Sequence, residues 1–288
     1  MNGSHTIEDT ALKAPGALLL MLEGRAPWEF AATLAATPWF NRLPAGDDHP
    51  VIVFPGLAVS DFTTLPMRNF LRARGYTPYP WEQGFNFGPR IGVIEGCEAL
   101  VRNIAERHGR AVSLVGWSLG GVYARELAKA MPECVRCVIT LGSPFAGHPR
   151  ATNAWRLFEL LSGKSAHDPE LLAQLREAPP VPTTSIYSRS DGVVAWQCSL
   201  NDDGPLAENI EVPTASHVGM GLNPLVLYAI ADRLAQDPAK WQRFDANGLR
   251  RLFFRTEPPV AAAAAPGRPK QGSTPAGGGR GTPLPGAM

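Results

Sequence analysis

The chain has 288 residues, of which 44% are hydrophobic and 18% are charged, and its formal net charge is +1. These values are typical of a globular protein with a substantial core. The near-neutral charge gives no electrostatic reason to expect nucleic acid or an anionic membrane as a partner.

The N-terminal part of the chain, residues 1–48, is predicted to be a helical segment that packs on the core, with one or two helices in residues 11–48. It does not resemble a secretory signal, because Glu8 and Asp9 lie where positive charge is expected. The apolar run from residue 17 to 22 is too short to cross a membrane. The four cysteines form no disulfide framework. We therefore expect a cytoplasmic protein without a transmembrane segment.

Residues 49–256 alternate between short apolar runs and amphipathic helical stretches. The strand candidates are HPVIVFPG, TPYPW, AVSLVGW, VRCVITLGS, TTSIYS and NIEV, and PLVLYAIADRLAQ is the last helix candidate. Ser60 and Asp61 are predicted to cap the helix that follows the first strand. This alternation predicts an α/β domain with a mostly parallel central sheet and helices on both faces.

Two segments depart from this alternation. Residues 145–180 form a long insertion between strands, and it carries leucine and aromatic side chains. From residue 257 the chain is rich in Pro, Ala and Gly and has no apolar periodicity. Such a segment buries too little apolar surface to offset its chain entropy. Residues 257–288 are therefore predicted to be a disordered tail.

The stretch LVGWSLGG contains Ser118 in a G-x-S-x-G pattern. A sharp strand-to-helix turn exposes a serine hydroxyl and directs the next backbone N–H toward a reacting carbonyl. Such a turn crowds its neighbours, which explains Gly116 and Gly120 two residues away on either side. With 29 glycines in the chain, chance supplies the pattern in about one such sequence in eight. Here a predicted strand precedes it and a predicted helix follows, which favours a nucleophile.

A serine nucleophile needs an acid and a histidine, which follow the serine in that order in this kind of fold. Asp191 in SRSDGVV and His217 in PTASHVGMG each follow a predicted strand. Both are therefore expected at the same sheet edge as the serine. The backbone N–H groups of Leu57, after the first strand, and of Leu119, after the serine, are the candidate oxyanion donors.

Five residues are weaker candidates for the acid or the base: His148, His167, Asp202, Asp203 and Glu208. The first histidine precedes every plausible acid, and the second lies in a polar stretch of the insertion. The two aspartates form the turn NDDG, which is typical of a protein surface. The glutamate flanks a strand. The two aspartates stay as substitutes for the preferred acid.

Several of these motifs, taken in order, resemble the α/β-hydrolase superfamily, on its bacterial lipase and carboxylesterase side. The matching stretches are VIVFPGLAVSD, LVGWSLGGVYARELA, ITLGSPFAG, YSRSDGVV and ASHVGM, from about residue 50 to 220. The resemblance implies an α/β-hydrolase fold and a catalytic triad. It makes Ser118 the nucleophile, Asp191 the acid and His217 the base, with Leu57 and Leu119 in the oxyanion hole.

The resemblance also bears on three features outside the triad. The insertion at about 145–180 lies where such enzymes often carry a cap or lid, although an ordinary pair of helices fits its sequence equally well. Pro55 and Trp117 stand where many relatives have histidine. These differences bear on which substrate the protein prefers more than on whether it is active. The stretch WEQGFNFG at residues 81–88 contains Asn86 and several aromatics. It either faces the site or stabilises a loop.

The resulting hypothesis is a serine hydrolase that cleaves a small acyl ester or a lipid without a metal or a cofactor. Acyl transfer to another acceptor, or thioester cleavage, would use the same triad. A hydrolase-like scaffold that binds a lipid or a protein without turnover is the alternative from another class. Nucleotide binding is disfavoured, because no G-x-G-x-x-G and no Walker lysine follow a strand.

Overall fold

A seven-stranded sheet forms the centre of the protein in a computed structural model that describes residues 12–147, 149–162 and 169–256. The predicted tail, His148 and His167 lie outside the described residues. The strand order is β2-β1-β3-β4-β5-β6-β7, and every neighbouring pair is parallel except β6 and β7. The strands are β1 (Pro50–Phe54), β2 (Thr77–Pro80), β3 (Val112–Trp117), β4 (Val135–Leu141), β5 (Thr183–Tyr187), β6 (Ala207–Glu211) and β7 (Arg255–Thr256).

The six predicted strands are confirmed, and the seventh was not predicted. Strands β1 and β5 are buried at every position, as expected where helices cover both faces of a parallel sheet. Strand β7 has only two residues and pairs antiparallel with β6 at the sheet edge. A two-residue edge strand has no periodicity to detect, so its position depends on tertiary pairing alone.

Eight α-helices are present among the described residues, and a 3-10 turn joins the first two. They are α1 (Ala17–Leu22), α2 (Ala26–Phe40), α3 (Asp61–Ala73), α4 (Val93–His108), α5 (Leu119–Ala130), α6 (Trp155–Ser162), α7 (Pro169–Arg176) and α8 (Pro224–Leu234). In the part of the chain described here, none of the helices has the length and apolar character needed to cross a bilayer.

Two apolar clusters cover the two faces of the sheet. On one face, buried side chains of α3 and α8, such as Leu71 and Ile230, pack against the sheet. On the other face α4 and α5 contribute side chains such as Val101 and Leu127. The predicted arrangement of helices on both sides of a mostly parallel sheet is therefore confirmed.

The start of α3 differs from the prediction. Ser60 occupies the N-cap position, but its side chain makes no capping hydrogen bond. The carboxylate of Asp61 instead accepts hydrogen bonds from the backbone N–H groups of Trp81 and Glu82, at 3.0 and 3.3 Å. The sequence prediction was wrong because a partner from the next loop competes for this acid.

The N-terminal helices α1 and α2 lie against the rest of the protein rather than apart from it. The hydroxyl of Thr33 donates a hydrogen bond to the carbonyl of Leu222, and Arg74 donates to the carbonyl of Phe40 at 2.7 Å. A Cβ atom built on Gly192 would lie 2.2 Å from the carbonyl oxygen of Leu19. The backbone of α1 therefore contacts the loop that follows β5.

The insertion between β4 and β5 contains α6 and α7. Helix α7 is anchored to α5, because Arg125 donates hydrogen bonds to the carbonyls of Arg176 and Glu177, at 3.2 and 3.0 Å. Helix α6 is held through Arg90, which donates to the carbonyl of Leu161 at 2.6 Å. A role as cap or lid stays a prediction.

Candidate active site

Ser118 lies on a sharp turn between the end of β3 and the start of α5. Its φ and ψ angles are 53° and −122°, a region that L-residues with a side chain rarely adopt. The turn is tied to the neighbouring strand, because the N–H of Ser118 donates to the carbonyl of Leu141 at 2.8 Å. The side chain is half-buried at the carboxyl end of the sheet. This geometry is that of the strained turn that the G-x-S-x-G pattern predicts.

The flanking glycines have the minimal volume that this turn requires. A Cβ atom on Gly116 would lie 2.3 Å from the Cα of Gly121, and one on Gly120 would lie 2.4 Å from the carbonyl oxygen of Phe54. Both distances are far below van der Waals contact, and the neighbouring atoms belong to the backbone. Any side chain at these two positions would push the helix away from the strands.

The structure brings Ser118, His217 and Asp191 into one hydrogen-bonded chain. The Nε2 atom of His217 is 3.0 Å from the Oγ of Ser118, and its Nδ1 is 2.7 Å from the Oδ2 of Asp191. Because an ionised carboxylate only accepts hydrogen bonds, Nδ1 carries the proton and Nε2 faces the serine as the acceptor. The other carboxylate oxygen, Oδ1, accepts from the N–H groups of Val193 and Val194, at 2.8 and 2.7 Å.

The environment of His217 favours its protonated form. Burial by itself lowers the pKa of this imidazole, but the charge and hydrogen bond of Asp191 and the charge of Glu23 raise it. The result is a pKa above the ordinary histidine value. A raised pKa suits a base that must hold a proton between two steps of a reaction.

Two residues beside the triad were not assigned a positioning role from the sequence. The indole Nε1 of Trp117 donates a hydrogen bond to the carbonyl of His217 at 2.9 Å, so this side chain holds the histidine loop. Gly142 has φ 53°, and a Cβ atom there would lie 3.0 Å from Oδ2 of Asp191 and 3.1 Å from Nδ1 of His217. The available signal was Gly142 in ITLGSPF, directly after β4.

The loop after β1 approaches the serine. A Cβ atom on Gly56 would lie 3.4 Å from the Cβ of Ser118, so the backbone around Leu57 runs close to the nucleophile. Leu119 follows the serine as the first residue of α5. Both candidate oxyanion donors therefore lie in backbone next to Ser118, and their role stays a prediction.

Asn86 of the stretch WEQGFNFG holds this loop. Its Nδ2 donates to the carbonyl of Pro55 at 2.8 Å, and its backbone exchanges hydrogen bonds with Ala58 and Val59, at 2.7 and 2.8 Å. Asn86 is fully buried, whereas the ring of Phe85 is 60% exposed. The sequence left open whether this stretch faces the site or stabilises a loop, and the contacts of Asn86 correspond to stabilisation of a loop.

The substitute acids pair with arginines away from the histidine. Asp202 binds Arg176 at 2.9 Å, an interaction that lowers the pKa of the aspartate. Asp203 binds Arg243 at 2.6 Å. The third acid, Glu208, likewise pairs with an arginine, at 3.0 Å. Of the acids considered from the sequence and described in the structure, Asp191 alone contacts the histidine.

Two acids of the N-terminal segment also reach the site and were missed by sequence reasoning. The carboxylates of Glu23 and Glu29 contact the loops that hold Asp191 and His217. The signal was the run EGRAPWE, which places charges inside an otherwise apolar stretch. Within the described ranges, no group of three or more His, Cys, Asp or Glu side chains is arranged to hold a metal ion.

Comparison with known families agrees with this fold. The model of the "Alpha/beta hydrolase family" matches residues 36–270, which is most of the chain. The protein therefore belongs to the α/β-hydrolase family. No curated protein matches the chain significantly.

Similar solved structures include lipase B of Aspergillus fumigatus, with 20% identity and a TM-score of 0.54 over 67% of this chain. The match covers 55% of that lipase, so the chain spans about half of its length. The mature lipase BlEst2 of Bacillus licheniformis has 16% identity and a TM-score of 0.50, over 67% of this chain and 94% of that one. At such identities the likeness shows a shared fold.

Proposed function

We propose that this protein is a serine hydrolase that cleaves carboxylic esters of small acyl compounds or lipids. The observation that carries the proposal is the hydrogen-bonded chain from Asp191 through His217 to Ser118, with the serine on a strained turn. A serine hydroxyl that touches an oriented imidazole is the arrangement that nucleophilic acyl transfer requires.

In the first half of the reaction, the Oγ of Ser118 attacks the ester carbonyl carbon while Nε2 of His217 takes its proton. The N–H groups of Leu57 and Leu119 stabilise the oxyanion of the tetrahedral intermediate. The imidazolium then gives its proton to the leaving alcohol, and the C–O bond to the alcohol breaks. Asp191 stays ionised and holds the tautomer. The product of this half is an acyl-enzyme.

In the second half, a water molecule attacks the acyl-enzyme. His217 takes a proton from the water, the C–O bond to Ser118 breaks, and the proton returns to the serine oxygen as the acid leaves. All atoms balance without a metal or a redox partner. The imidazolium of His217 forms once and is neutralised once in each half of the reaction.

Fluorophosphonate labelling and ester turnover test the proposal together. We expect the probe to label the protein and a panel of p-nitrophenyl esters of increasing chain length to be hydrolysed. Adding alcohols or thiols as competing acceptors separates hydrolysis from acyl transfer in the products. A folded protein that neither reacts with the probe nor turns over any ester or thioester would favour a binding scaffold instead.

A further inference from the structure

Three charged side chains of the N-terminal segment reach the loops behind the Asp191–His217 pair. Glu23 and Arg25 lie in the 3-10 turn between α1 and α2, and Glu29 lies in the first turn of α2. Both glutamates are 8% exposed. All three precede residue 36, where the match to the family model begins. They are therefore a feature of this chain outside the matched region.

The carboxylate of Glu23 joins the two loops directly. Its Oε1 accepts hydrogen bonds from the backbone N–H of Gly192, next to Asp191, at 2.7 Å and from that of His217 at 3.0 Å. Its Oε2 accepts from the N–H of Val218 at 2.7 Å. A single side chain thus fixes the backbone beside the acid relative to the backbone of the histidine.

In the part of the chain that the structure describes, the carboxylate of Glu23 forms no ion pair with a cationic side chain. Among the described residues, its polar contacts are these three backbone N–H groups. A buried carboxylate without an ion pair is costly unless hydrogen bonds or a nearby positive charge compensate it. The imidazolium that forms on His217 during the proposed reaction supplies such a charge. Glu23 accordingly contributes to the raised pKa of His217.

Glu29 supports the histidine loop from the other side. Its Oε1 accepts from the N–H of Ser216 at 2.9 Å, and its Oε2 accepts from the side-chain amide of Asn223 at 2.8 Å. The fit is close, because a Cβ atom on Gly219 would lie 2.6 Å from Cδ of Glu29. The loop from 216 to 223 is therefore shaped around this carboxylate.

Arg25 also connects the two loops that carry Asp191 and His217. Its guanidinium donates to the carbonyl of Ser190, before the acid, and to the carbonyl of Ala215, before the histidine, each at 3.0 Å. Its Nε lies 3.6 Å from Oε1 of Glu29. The charges of Arg25 and Glu29 thus offset each other, whereas no ion pair within the described ranges offsets the charge of Glu23.

We propose that Glu23, supported by Glu29, is a positioning residue of this active site. It fixes the Asp191 loop against the His217 loop and adds a second negative charge that favours protonated His217. This inference rests on the proposed function. The N-terminal segment is then part of the catalytic apparatus rather than a peripheral addition to the fold.

The pH dependence of the site follows from the charged groups around His217. They are Asp191 from the loop after β5, and Glu23, Arg25 and Glu29 from the N-terminal segment. Since the last two neutralise each other, the remaining negative charges are those of Asp191 and Glu23. Removing the charge of Glu23 therefore moves the pKa of His217 downward, and the acidic limb of kcat/KM moves to lower pH.

The test is the variant Glu23→Gln, assayed on a p-nitrophenyl ester across a range of pH. An amide has one acceptor oxygen, so at least one of the three backbone N–H groups faces the NH2 donors of the glutamine, and the fit between the two loops is disturbed. We expect kcat to fall on the order of 10–100-fold with a much smaller change in KM, because a misplacement of about 1 Å can cost about 10²-fold. We also expect the acidic limb to move to lower pH.

Glu208→Gln is the matched control. Glu208 is 6% exposed and accepts from the backbone N–H of Phe244 at 2.6 Å and from Arg233 at 3.0 Å, away from the triad. We expect this variant to lose thermal stability while kcat and the acidic limb stay at their wild-type values. This variant therefore shows how the loss of a buried carboxylate affects activity through stability alone.

A folded Glu23→Gln with wild-type kcat and an unmoved acidic limb overturns the proposal, as does a change that matches that of Glu208→Gln. If Glu23→Gln does not fold at the assay temperature, Glu29→Gln carries the same expectation for kcat, and wild-type kcat there overturns the proposal. Ser118→Ala separates the two hypotheses. If Ser118→Ala keeps its activity, both the proposed function and this inference are wrong. If Ser118→Ala is inactive and Glu23→Gln behaves like the wild type, only this inference is wrong.

Discussion

Two hydrogen-bonded chains, each made of one Asp, one His and one Ser residue, lie at opposite ends of the sheet. At the carboxyl end, Asp191, His217 and Ser118 form the candidate triad. At the amino end, Asp47 hydrogen-bonds to Nδ1 of His49, whose Nε2 lies 2.8 Å from the Oγ of Ser113. The two chains use the same atoms in the same order. The residue types and the hydrogen bonds therefore do not distinguish them.

Access, backbone and charge distinguish the two chains. Ser113 lies inside β3 with no exposed surface, whereas Ser118 is half-buried on a turn with φ 53°. Burial lowers the pKa of His49, whereas the acids around His217 raise its pKa. A hydrogen-bonded Asp-His-Ser chain becomes a nucleophile only where a turn exposes the serine and the histidine can hold a proton. We expect the hydrogen-bonded chain at the amino end to contribute to stability instead.

The largest expected difference is between the two serines. Ser118→Ala removes the nucleophile, and we expect kcat to fall by roughly 10⁶-fold, as in well-studied triads. Ser113→Ala leaves the Nε2 atom of His49 without its hydrogen-bond partner inside the core, so we expect a loss of about 1–3 kcal/mol of stability and unchanged kcat. Ester hydrolysis and urea denaturation measure the two effects. Near-wild-type turnover by Ser118→Ala would contradict the assignment of the nucleophile.

The next contrast is between the two aspartates. Asp191→Asn no longer holds the required tautomer of His217, and we expect kcat to fall by about 10⁴-fold. Asp47→Asn weakens contacts with His49 and with Arg110, at 2.5 Å, and is expected to lower stability alone. The same ester assay compares them. Equal losses of activity from the two substitutions would show that the comparison between the chains is wrong.

A smaller effect is expected from Trp117→Phe. The substitution keeps an aromatic ring but removes the hydrogen bond from Nε1 to the carbonyl of His217. Since one such bond contributes about 0.5–1.5 kcal/mol, we expect kcat/KM to fall by up to about tenfold. A panel of esters of different chain length provides the control, because loss of a positioning residue lowers kcat/KM for all esters by the same factor. A changed chain-length preference would instead make Trp117 part of the substrate pocket.

The smallest effect concerns the titration of the two histidines. Only neutral His217 accepts the proton of Ser118, and its pKa is raised. We therefore expect kcat/KM to decline as the pH falls through a value above the ordinary histidine pKa of about 6.5. His49 has a lowered pKa and adds no limb in that range. An acidic limb below the ordinary histidine value would conflict with this account of the site.

Much of the fold was predictable because its signals are local. Strands β1, β3 and β4 are mostly apolar runs. The turn around Ser118 requires Gly116 and Gly120 whatever the rest of the chain does. The approach of Asp191 and His217 was predictable from sheet topology, since loops after parallel strands meet at one edge. These inferences need only periodicity, turn chemistry and chain order.

The remainder depends on contacts between distant parts of the chain. Glu23 meets His217 across 194 positions of sequence, and Asn86 meets Pro55 across 31. No local pattern records such pairs. Asp61 looked like a helix cap because capping is a local signal, but the N–H groups of a neighbouring loop bind its carboxylate instead. The limit of prediction from the sequence thus lay at the contacts that Glu23, Asn86 and Asp61 make with distant backbone groups.

Trapping the acyl-enzyme tests the central claim most directly. A slowly hydrolysed ester is mixed with the protein, the reaction is quenched in acid, and the acylated peptide is mapped by mass spectrometry. We predict one acyl group on the peptide that contains Ser118 and none on that peptide in Ser118→Ala. An acyl group on another residue, or turnover of the ester with Ser118 unmodified throughout, would contradict the account.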